Sequence, residues 1–283
     1  MSSEIVRPTA LNPETAEQLA RRIRARIIAL SCQAGTPHLA SALSCVELLT
    51  AAYWNVIDPE PIRTMRPERD RFIFSKGHAA PALYVALALR GIIPENLLDT
   101  YCHPGSPLSE QPTPHAVAGL EAATGSLGHG LPMGVGMALG ARIQQLATHV
   151  FVLMSDGECN EGSVWEAAML APAQQLGNLM AMVDFNKWQA TGRSCEVLAL
   201  EPLKAKFEAF GWRSFEVEGH DISAITEIMR DFRTGSHTRP TALIAHTVKG
   251  KGVSFMEDDN NWHYRVPTTA DLERARQELE IDP

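Results

Sequence analysis

Short apolar runs alternate with helical patterns through the second half of the chain. The runs HVFVLM, NLMAMVDF, SFEVE and TALIAHT occupy residues 149–154, 178–185, 214–218 and 241–247. Helical patterns lie between them, near 161–175, 202–210 and 221–233. Strands that alternate with helices predict βαβ units and therefore an α/β fold with a parallel, twisted sheet. Because the runs are continuously apolar, we expect helices to cover both faces of that sheet.

The first half predicts helices joined by segments rich in glycine and proline. Residues 12–14 supply a helix start, and this helix is expected to end near Gly35. A capping box is predicted at residues 44–47, before the apolar LLTAAYW. The remaining expectations are a surface loop over 60–71, a short strand over 71–74, an apolar helix over 79–89 and a long loop, functional or disordered, over 103–124.

Composition and charge narrow the class of protein. Of 283 residues, 45% are hydrophobic and 20% charged, which is typical of a globular chain. The formal net charge of −8 argues against nucleic acid or an anionic membrane as the main partner. Five cysteines without Cys-x-x-Cys spacing disfavour zinc and dithiol sites and favour a reducing, cytoplasmic location. The polar first twenty residues do not suit a signal peptide, and no apolar run approaches the ~18 residues of a membrane span.

Two strands in succession are followed by oxygen-bearing side chains. Asp156 follows the run that ends at 154, and Asn186 follows the run that ends at 185. Neighbouring strands lie ~5 Å apart, so both side chains are able to reach one hard cation such as Mg²⁺. The backbone around Gly157 offers N–H groups to a diphosphate at the same place. The alternative is that both residues only form turns after strands, and their joint spacing favours the site.

A glycine-rich segment, GSLGHG, precedes the helix pattern LPMGVGMALGARI. Its spacing differs from G-x-G-x-x-G and it follows no convincing strand, so a dinucleotide site is weakly supported. The glycines allow the backbone to approach a ligand or a partner helix closely. Tight helix packing explains Gly134, Gly136 and Gly140 equally well.

Taken together, these segments resemble the amino-terminal, diphosphate-binding half of transketolase over residues 15–268. The family's cofactor motif corresponds here to SDGECNEG and, about thirty residues later, VDFNKW. Six further blocks stand in family order: AGTPHLASALSCVELL, DRFIFSKGHAAPALY, GLEAATGSLGHGLPMGVGMALG, VWEAAMLA, VEGHDISAI and AHTVKGKGVSFMED with WH. The resemblance implies the thiamine diphosphate-binding fold, with helices on both faces of the sheet.

The resemblance also implies roles for individual residues. Those matching metal ligands are Asp156, Asn186 and, through its backbone carbonyl, Trp188, for Mg²⁺ or for Ca²⁺ or Mn²⁺ as substitutes. Those matching the catalytic set are His38, His78, Glu161 and His263, of which Glu161 matches an acid that meets its counterpart across a dimer interface. Those matching residues that bind thiamine diphosphate are Gly125, Leu127, Gly157, Glu158, Asn186 and Lys249.

Several positions depart from the family pattern. Ser155 replaces the first glycine of Gly-Asp-Gly, residues 36–37 read Thr-Pro in place of Ser-Gly, and His129 replaces a glutamine. Gln111 stands where the family has a histidine that helps to hold the donor substrate, which predicts a non-standard donor. His103 and His115 are the alternatives for that role, although the spacing favours Gln111 as the aligned position.

The expected organisation is one diphosphate-half domain over 1–283 with a helical amino-terminal region, without the pyrimidine-binding and carboxy-terminal domains. The resemblance therefore implies the amino-terminal subunit of a split transketolase. It would move a two-carbon ketol unit between sugars, with the cofactor as electron sink. The expected partner is a pyrimidine-binding subunit in a heterotetramer. The alternatives are a specialised ketol or acyl transferase, a homodimer of this chain alone, and a non-catalytic scaffold.

Overall fold

Five parallel strands form one sheet in the computed structural model, which describes residues 13–281. The strands are β1 Arg71–Phe74, β2 Val150–Ser155, β3 Leu179–Phe185, β4 Arg213–Glu218 and β5 Thr241–His246. Their order across the sheet is β1-β2-β3-β5-β4, and every neighbouring pair is parallel. All four strands predicted in the second half, and the short strand at 71–74, are therefore confirmed.

Alternate residues of the central strands enter two separate cores. In β2, Phe151 and Leu153 join the core on one face, whereas Val150, Val152 and Met154 join the core on the other. All six residues of β2 and all seven of β3 are buried. Helices therefore cover both faces, as the continuous apolar runs predicted. The edge strand β4 is an exception, because its residues are only half-buried or exposed.

Eleven α-helices lie within the described residues. The longer ones are α1 Pro13–Ala34, α5 Ala80–Leu89, α6 Gly130–Ile143, α7 Gly162–Ala173, α10 Ile222–Thr234 and α11 Thr269–Leu279. The short ones are α2 Leu39–Ser44, α3 Val46–Thr50, α4 Pro59–Arg63, α8 Ser194–Val197 and α9 Leu203–Ala209. Within residues 13–281, no helix has the length and apolarity needed to cross a bilayer.

Two local predictions for the first half are wrong. No capping box forms at residues 44–47, because the Ser44 hydroxyl donates to Ser41 O and to Asp184 instead of capping α3. The segment 60–71 is not simply a surface loop, since α4 begins at Pro59, behind the N-cap Asp58, and continues through Arg63. The bounds predicted for α1 are confirmed at its carboxyl end, while the predicted cap at residue 12 lies outside the described residues.

The register of the sheet aligns the carboxyl ends of its three central strands. Ser155 is paired with Asp184, and Phe185 is paired with His246. The residues that follow these pairs therefore emerge at one edge of the sheet. In a parallel sheet this edge is where ligands bind.

Candidate active site

Asp156 follows β2 and is fully buried. Its Oδ2 accepts hydrogen bonds from Ser194 Oγ at 2.6 Å and from the N–H of Lys187 at 3.0 Å. Its Oδ1 accepts a hydrogen bond from the N–H of Gly157 at 2.9 Å. Burial raises the pKa of Asp156 to about 6, and the hydrogen bond from Ser194 opposes that shift. A cation beside this carboxylate would favour its ionised form.

Asn186 follows β3, and its amide is oriented by a buried carboxylate. The Nδ2 of Asn186 donates to Asp184 Oδ2 at 3.3 Å, and its Oδ1 accepts from the N–H of Trp188 at 3.1 Å. Asp184 is itself buried and bonded to Lys76, Ser44 and Thr247. Burial alone would raise the pKa of Asp184, but Lys76 and these hydrogen bonds lower it below its usual value.

The donor atoms at this edge suit a hard cation. Within the part of the chain that the structure describes, no three His, Cys, Asp or Glu side chains converge as a metal shell. The predicted ligands instead combine one carboxylate, one amide oxygen and the backbone carbonyl of Trp188. No backbone N–H within residues 13–281 donates to that carbonyl. Such an incomplete oxygen shell fits Mg²⁺, which usually takes its other ligands from phosphate groups and water.

Glu158 joins two loops that approach the site from different parts of the sequence. Its Oε1 accepts hydrogen bonds from Ser75 Oγ and, at 3.0 Å, from the N–H of Gly128. Its Oε2 is buried without a hydrogen-bond partner in the structure. Burial raises the pKa of Glu158 to about 7, which suits a carboxyl group that is protonated part of the time.

The two loops held by Glu158 touch through glycine. A Cβ added to Gly77 would overlap the backbone nitrogen of Gly125. Gly125 has a φ of +128°, and a Cβ there would overlap Oε1 of Gln111. Both positions therefore require glycine. This contact places Gln111 against the glycine-rich segment that contains Leu127, next to the loop that carries His78.

Three histidines from distant parts of the chain form one cluster. The ring centroid of His38 lies 5.0 Å from that of His263 and 5.4 Å from that of His78. Tyr264 adds a fourth ring, 4.7 Å from His263. His38 has a left-handed backbone with a φ of +65°, and its N–H donates to the carbonyl of His263 at 2.9 Å.

Lys249 is attached to the same cluster. Its Nζ lies 2.7 Å from Asn260 Oδ1 and 3.0 Å from His263 Nδ1. Burial, assisted by the charge of Lys76, lowers the pKa of Lys249 to about 8. Burial also lowers the pKa of His263 to about 3, with Lys249 as the next cause.

The other two histidines are likewise held neutral. Burial is the main cause that lowers the pKa of His38 and lowers that of His78 well below its usual value. For His78 the charge of Lys76 acts in the same direction. A neutral imidazole carries one N–H donor and one acceptor nitrogen, so this cluster is able to bind and exchange protons with oxygen atoms.

Glu161 lies apart from the buried groups. It is exposed and directly precedes α7, where its Cβ and Cγ pack against Gly128. The structure thus places the residues predicted for the site at one edge of the sheet, with Glu161 at the surface beside it.

The sequence model described as transketolase, thiamine diphosphate binding domain, matches residues 15–283. The chain belongs to the transketolase family. The resemblance inferred from its motifs is therefore confirmed.

Relatives and solved structures within the transketolase family agree with this assignment. A subunit of the apulose-4-phosphate transketolase of Phocaeicola vulgatus is 41% identical over 268 residues, which are 94% of each chain. The 6-deoxy-6-sulfo-D-fructose transketolase subunit SqwG of a Clostridium species is 39% identical and covers 87% of this chain and 89% of its own. The solved transketolase of Campylobacter jejuni superposes with a TM-score of 0.88 at 26% identity, covering 96% of this chain. The chain spans only 44% of that solved transketolase.

The family motifs led to the residues of the candidate site but missed the side chains that hold them in place. Lys76, Asp184, Ser194 and Thr247 are buried or nearly so and bond to the predicted metal ligands or to each other. Lys76 precedes the predicted His78 by two residues, and Asp184 precedes Asn186 by two. A charged residue inside an apolar strand was the available signal for Asp184, because such a group is rarely buried without a partner.

Proposed function

We propose that this chain is the amino-terminal subunit of a two-component transketolase, which transfers a two-carbon ketol unit from a ketose donor to an aldose acceptor. The observation that carries the proposal is the convergence of Asp156, Asn186 and Lys249 with three neutral histidines at the carboxyl edge of a transketolase-family sheet. Two relatives that are named as subunits of apulose-4-phosphate transketolases match at least 94% of this chain and of their own length.

Mg²⁺ is the metal that the donor set suits best. We assign its protein ligands to the Asp156 carboxylate, the Asn186 amide oxygen and the Trp188 carbonyl. The buried Asp184 contributes no free negative charge, because Lys76 balances it. The shell therefore carries one net negative charge and needs the diphosphate to complete its charge as well as its geometry. Ca²⁺ and Mn²⁺ would occupy the same oxygen site as substitutes.

The residues that would hold thiamine diphosphate extend from the metal ligands to the histidine cluster. Lys249, Gly157 and the glycine-rich segment with Gly125 and Leu127 form the surroundings of its diphosphate. The N–H of Gly157 donates to Asp156, so its role toward the cofactor needs that hydrogen bond to be exchanged or shared. Glu158 supports these loops through Ser75 and Gly128. When bound, the cofactor supplies the electron sink for breaking the carbon–carbon bond of the donor.

The histidines are the groups that would hold and move protons on substrate oxygens. The ammonium group of Lys249 donates to His263 Nδ1, so the remaining proton of that ring is on Nε2. His263 is thereby fixed as a hydrogen-bond donor on its other side. His38 and His78, whose pKa values are lowered, are unprotonated near neutral pH, and each offers one N–H donor and one acceptor nitrogen to a substrate oxygen.

A pyrimidine-binding subunit is the partner that this function requires. We propose a heterotetramer in which Glu161, exposed beside α7, contacts the second polypeptide. The interface of such an obligate complex is expected to exceed ~2,000 Å². The five free cysteines support a reducing, cytoplasmic location.

The test is ketol transfer by the chain with and without its partner. The chain alone, given Mg²⁺ and thiamine diphosphate, should show no turnover, and the complex with a co-expressed pyrimidine-domain subunit should be active. Turnover by the chain alone would overturn the two-component hypothesis in favour of a homodimer. A complex that binds thiamine diphosphate but transfers no unit from any ketose would favour the non-catalytic scaffold.

A specialised donor is the second candidate within this cofactor class. It is favoured by Gln111, which packs on Gly125 at the position where the family resemblance implies a histidine. The relatives from Phocaeicola vulgatus and from the Clostridium species are named for apulose-4-phosphate and for a sulfonated fructose. A panel of phosphorylated, sulfonated and unmodified ketoses, assayed with the complex, separates these donors.

A further inference from the structure

A chain of buried hydrogen bonds crosses the molecule from α1 to the loop after β5. Arg24 Nη2 lies 2.7 Å from both carboxylate oxygens of Glu47. Glu47 Oε2 lies 3.0 Å from Nδ1 of His220, and His220 Nε2 accepts the backbone N–H of Val248 at 2.9 Å. The side chains of Arg24, Glu47 and His220 are 5%, 7% and 12% exposed, so water screens this chain little.

The hydrogen bonds determine which nitrogen of His220 carries its proton. A backbone N–H is always a donor, so Nε2 of His220 must be the unprotonated acceptor. Nδ1 then carries the proton and donates it to Glu47. Burial would raise the pKa of Glu47, but Arg24 and His220 outweigh burial and lower it. The carboxylate therefore stays ionised and fixes both the tautomer and the orientation of the ring.

Val248 is the residue directly before Lys249. The loop that carries Lys249 has further anchors. Thr247 bonds to Asp184, the N–H of Gly250 donates to the carbonyl of Ala40 at 2.9 Å, and the carbonyl of Lys249 accepts from the N–H of Asp258 at 2.9 Å. The hydrogen bond from Val248 to His220 holds the peptide between these anchors. Through His220, Glu47 and Arg24, this hydrogen bond connects the Val248 peptide to the 22-residue helix α1.

We propose that His220 is a positioning residue that sets the placement of Lys249 and, through Lys249, the tautomer of His263. The sequence of contacts runs from the imidazole of His220 to the Val248 peptide, then to Lys249 Nζ and His263 Nδ1. The proposal rests on the proposed function only for the identity of the anion that Lys249 meets, a diphosphate.

The two hydrogen bonds at position 220 require a side chain that accepts a hydrogen bond from Val248 and donates one to Glu47. Glutamine has a carbonyl for the Val248 N–H and an amide N–H for Glu47, so His220→Gln should preserve the connection. Alanine has neither group, and asparagine is too short to reach both partners. Glu47 and Val248 would then each lose a buried hydrogen bond.

His149 offers a matched control at the opposite end of the sheet. It is also a half-buried histidine beside a buried carboxylate, with its Nδ1 3.6 Å from Asp70 Oδ1. It directly precedes β2, whereas the candidate active site follows the strands. His149→Ala should destabilise the fold without changing the placement of Lys249 or the tautomer of His263.

The first experiment needs no cofactor. Nitrogen-15 spectra of the histidine rings, recorded on the full chain, should show His220 protonated at Nδ1 and His263 protonated at Nε2. In His220→Ala, the His263 signals should change toward a mixture of tautomers, and amide exchange at Val248 should accelerate by about tenfold or more. His220→Gln should keep the wild-type pattern, and His149→Ala should keep it too. If the alanine variant does not fold, His220→Asn is measured in its place.

The second experiment measures affinity for thiamine diphosphate with Mg²⁺ in the assembled complex. We expect about tenfold weaker binding for His220→Ala, and binding within about twofold of wild type for His220→Gln. Unchanged His263 signals in the alanine or asparagine variant would refute the proposal, as would equal changes in His149→Ala. Wild-type complex that fails to bind thiamine diphosphate would instead contradict the proposed function and leave the result of the ring spectra standing.

Discussion

Lys76 and Asp184 form an ion pair whose two side chains are wholly enclosed by protein. Lys76 Nζ also donates to the carbonyl of Ser41 at 2.7 Å, and Asp184 accepts from Ser44, Thr247 and Asn186. A buried charge is tolerated only when it is paired and hydrogen-bonded. The pair therefore gives Asn186 a fixed acceptor for its amide N–H. The amide oxygen accepts from the N–H of Trp188 and keeps a second lone pair for another partner.

Removing one member of this pair should be costly. In Lys76→Met, the Asp184 carboxylate would stay buried without its counter-charge, a change that typically costs ~3–5 kcal/mol. We expect a loss of this size in the free energy of unfolding, measured by urea denaturation of the full chain. The double variant Lys76→Met/Asp184→Asn should lose less, because it removes both charges.

The exposed pair of Arg63 and Glu60 is the control for that measurement. Its side chains are 53% and 49% exposed, so Arg63→Gln should change the free energy of unfolding by less than ~1 kcal/mol. A loss in Lys76→Met no greater than that in Arg63→Gln would contradict the account of the enclosed pair.

Asp156 should be required for cofactor binding. Asp156→Ala removes the only carboxylate assigned to Mg²⁺. Without the bound cation, the negative charge of the diphosphate would be uncompensated. We expect affinity for thiamine diphosphate in the assembled complex to fall by at least about tenfold, or ~1.4 kcal/mol. Isothermal titration calorimetry measures this directly, with Glu273→Ala, an exposed carboxylate on α11, as control. Equal affinity in wild type and Asp156→Ala would remove the metal assignment.

Binding of Mg²⁺ should weaken as the pH falls through about 6. Burial raises the pKa of Asp156 to that value from an ordinary 3.8, so the carboxylate takes up a proton that a cation must displace. Above this pH the group is already ionised and binding should level off; below it, affinity should fall by up to about tenfold per pH unit.

The titration of Glu158 must be distinguished from that of Asp156 when the Mg²⁺ affinity is measured against pH. Burial raises the pKa of Glu158 to about 7, so its titration overlaps. Glu158→Gln removes this second titration and should retain the pH dependence below about 6. If the Mg²⁺ affinity of Glu158→Gln stays constant from about pH 8 to pH 5, Asp156 does not bind the metal in the way assigned.

The sequence patterns predicted the sheet because burial on both faces leaves continuous apolar runs. The same argument failed for the edge strand β4, whose run SFEVE is partly exposed. The pattern at residues 44–47 matched a capping box, yet Ser44 ends α2 just before α3 begins and bonds to Asp184, 140 residues away. A local sequence pattern does not reveal a hydrogen-bond partner that is so distant along the chain.

In the candidate site, too, local patterns predicted some residues, and long-range contacts that they do not reveal determine the rest. Asp156 and Asn186 were predictable, since each follows a strand and the strands were expected to be neighbours. The contact between His38 and His263, and the hydrogen-bond chain through His220, depend on how distant loops pack. No spacing along the sequence contains that information. The family resemblance grouped His38, His78 and His263, whereas the role of His220 follows only from the folded chain.

Gln111 should restrict the donor that the complex accepts. Its side chain occupies the space over Gly125, and Gly125 in turn contacts Gly77, which precedes His78. The Gln111 amide is therefore separated from the loop that carries His78 by the backbone at Gly125. Unlike histidine, an amide does not gain a charge near neutral pH. We expect Gln111→His to raise kcat/KM for ordinary ketose phosphates relative to the native donor by about fivefold, the effect of one hydrogen bond of ~1 kcal/mol.

His115 and His103 provide the controls for this prediction, because both are exposed histidines near Gln111 in the sequence. His115 lines a cleft of about 510 Å³ together with Glu121 and Met133, and not the histidine cluster. His115→Gln and His103→Gln should therefore leave the ratio of donor activities unchanged. If either control shifts that ratio, the donor contact belongs to that histidine and not to position 111. Full activity of the wild-type complex on ordinary ketose phosphates would show that Gln111 imposes no restriction, because the amide would then serve the common donors as well as a histidine does.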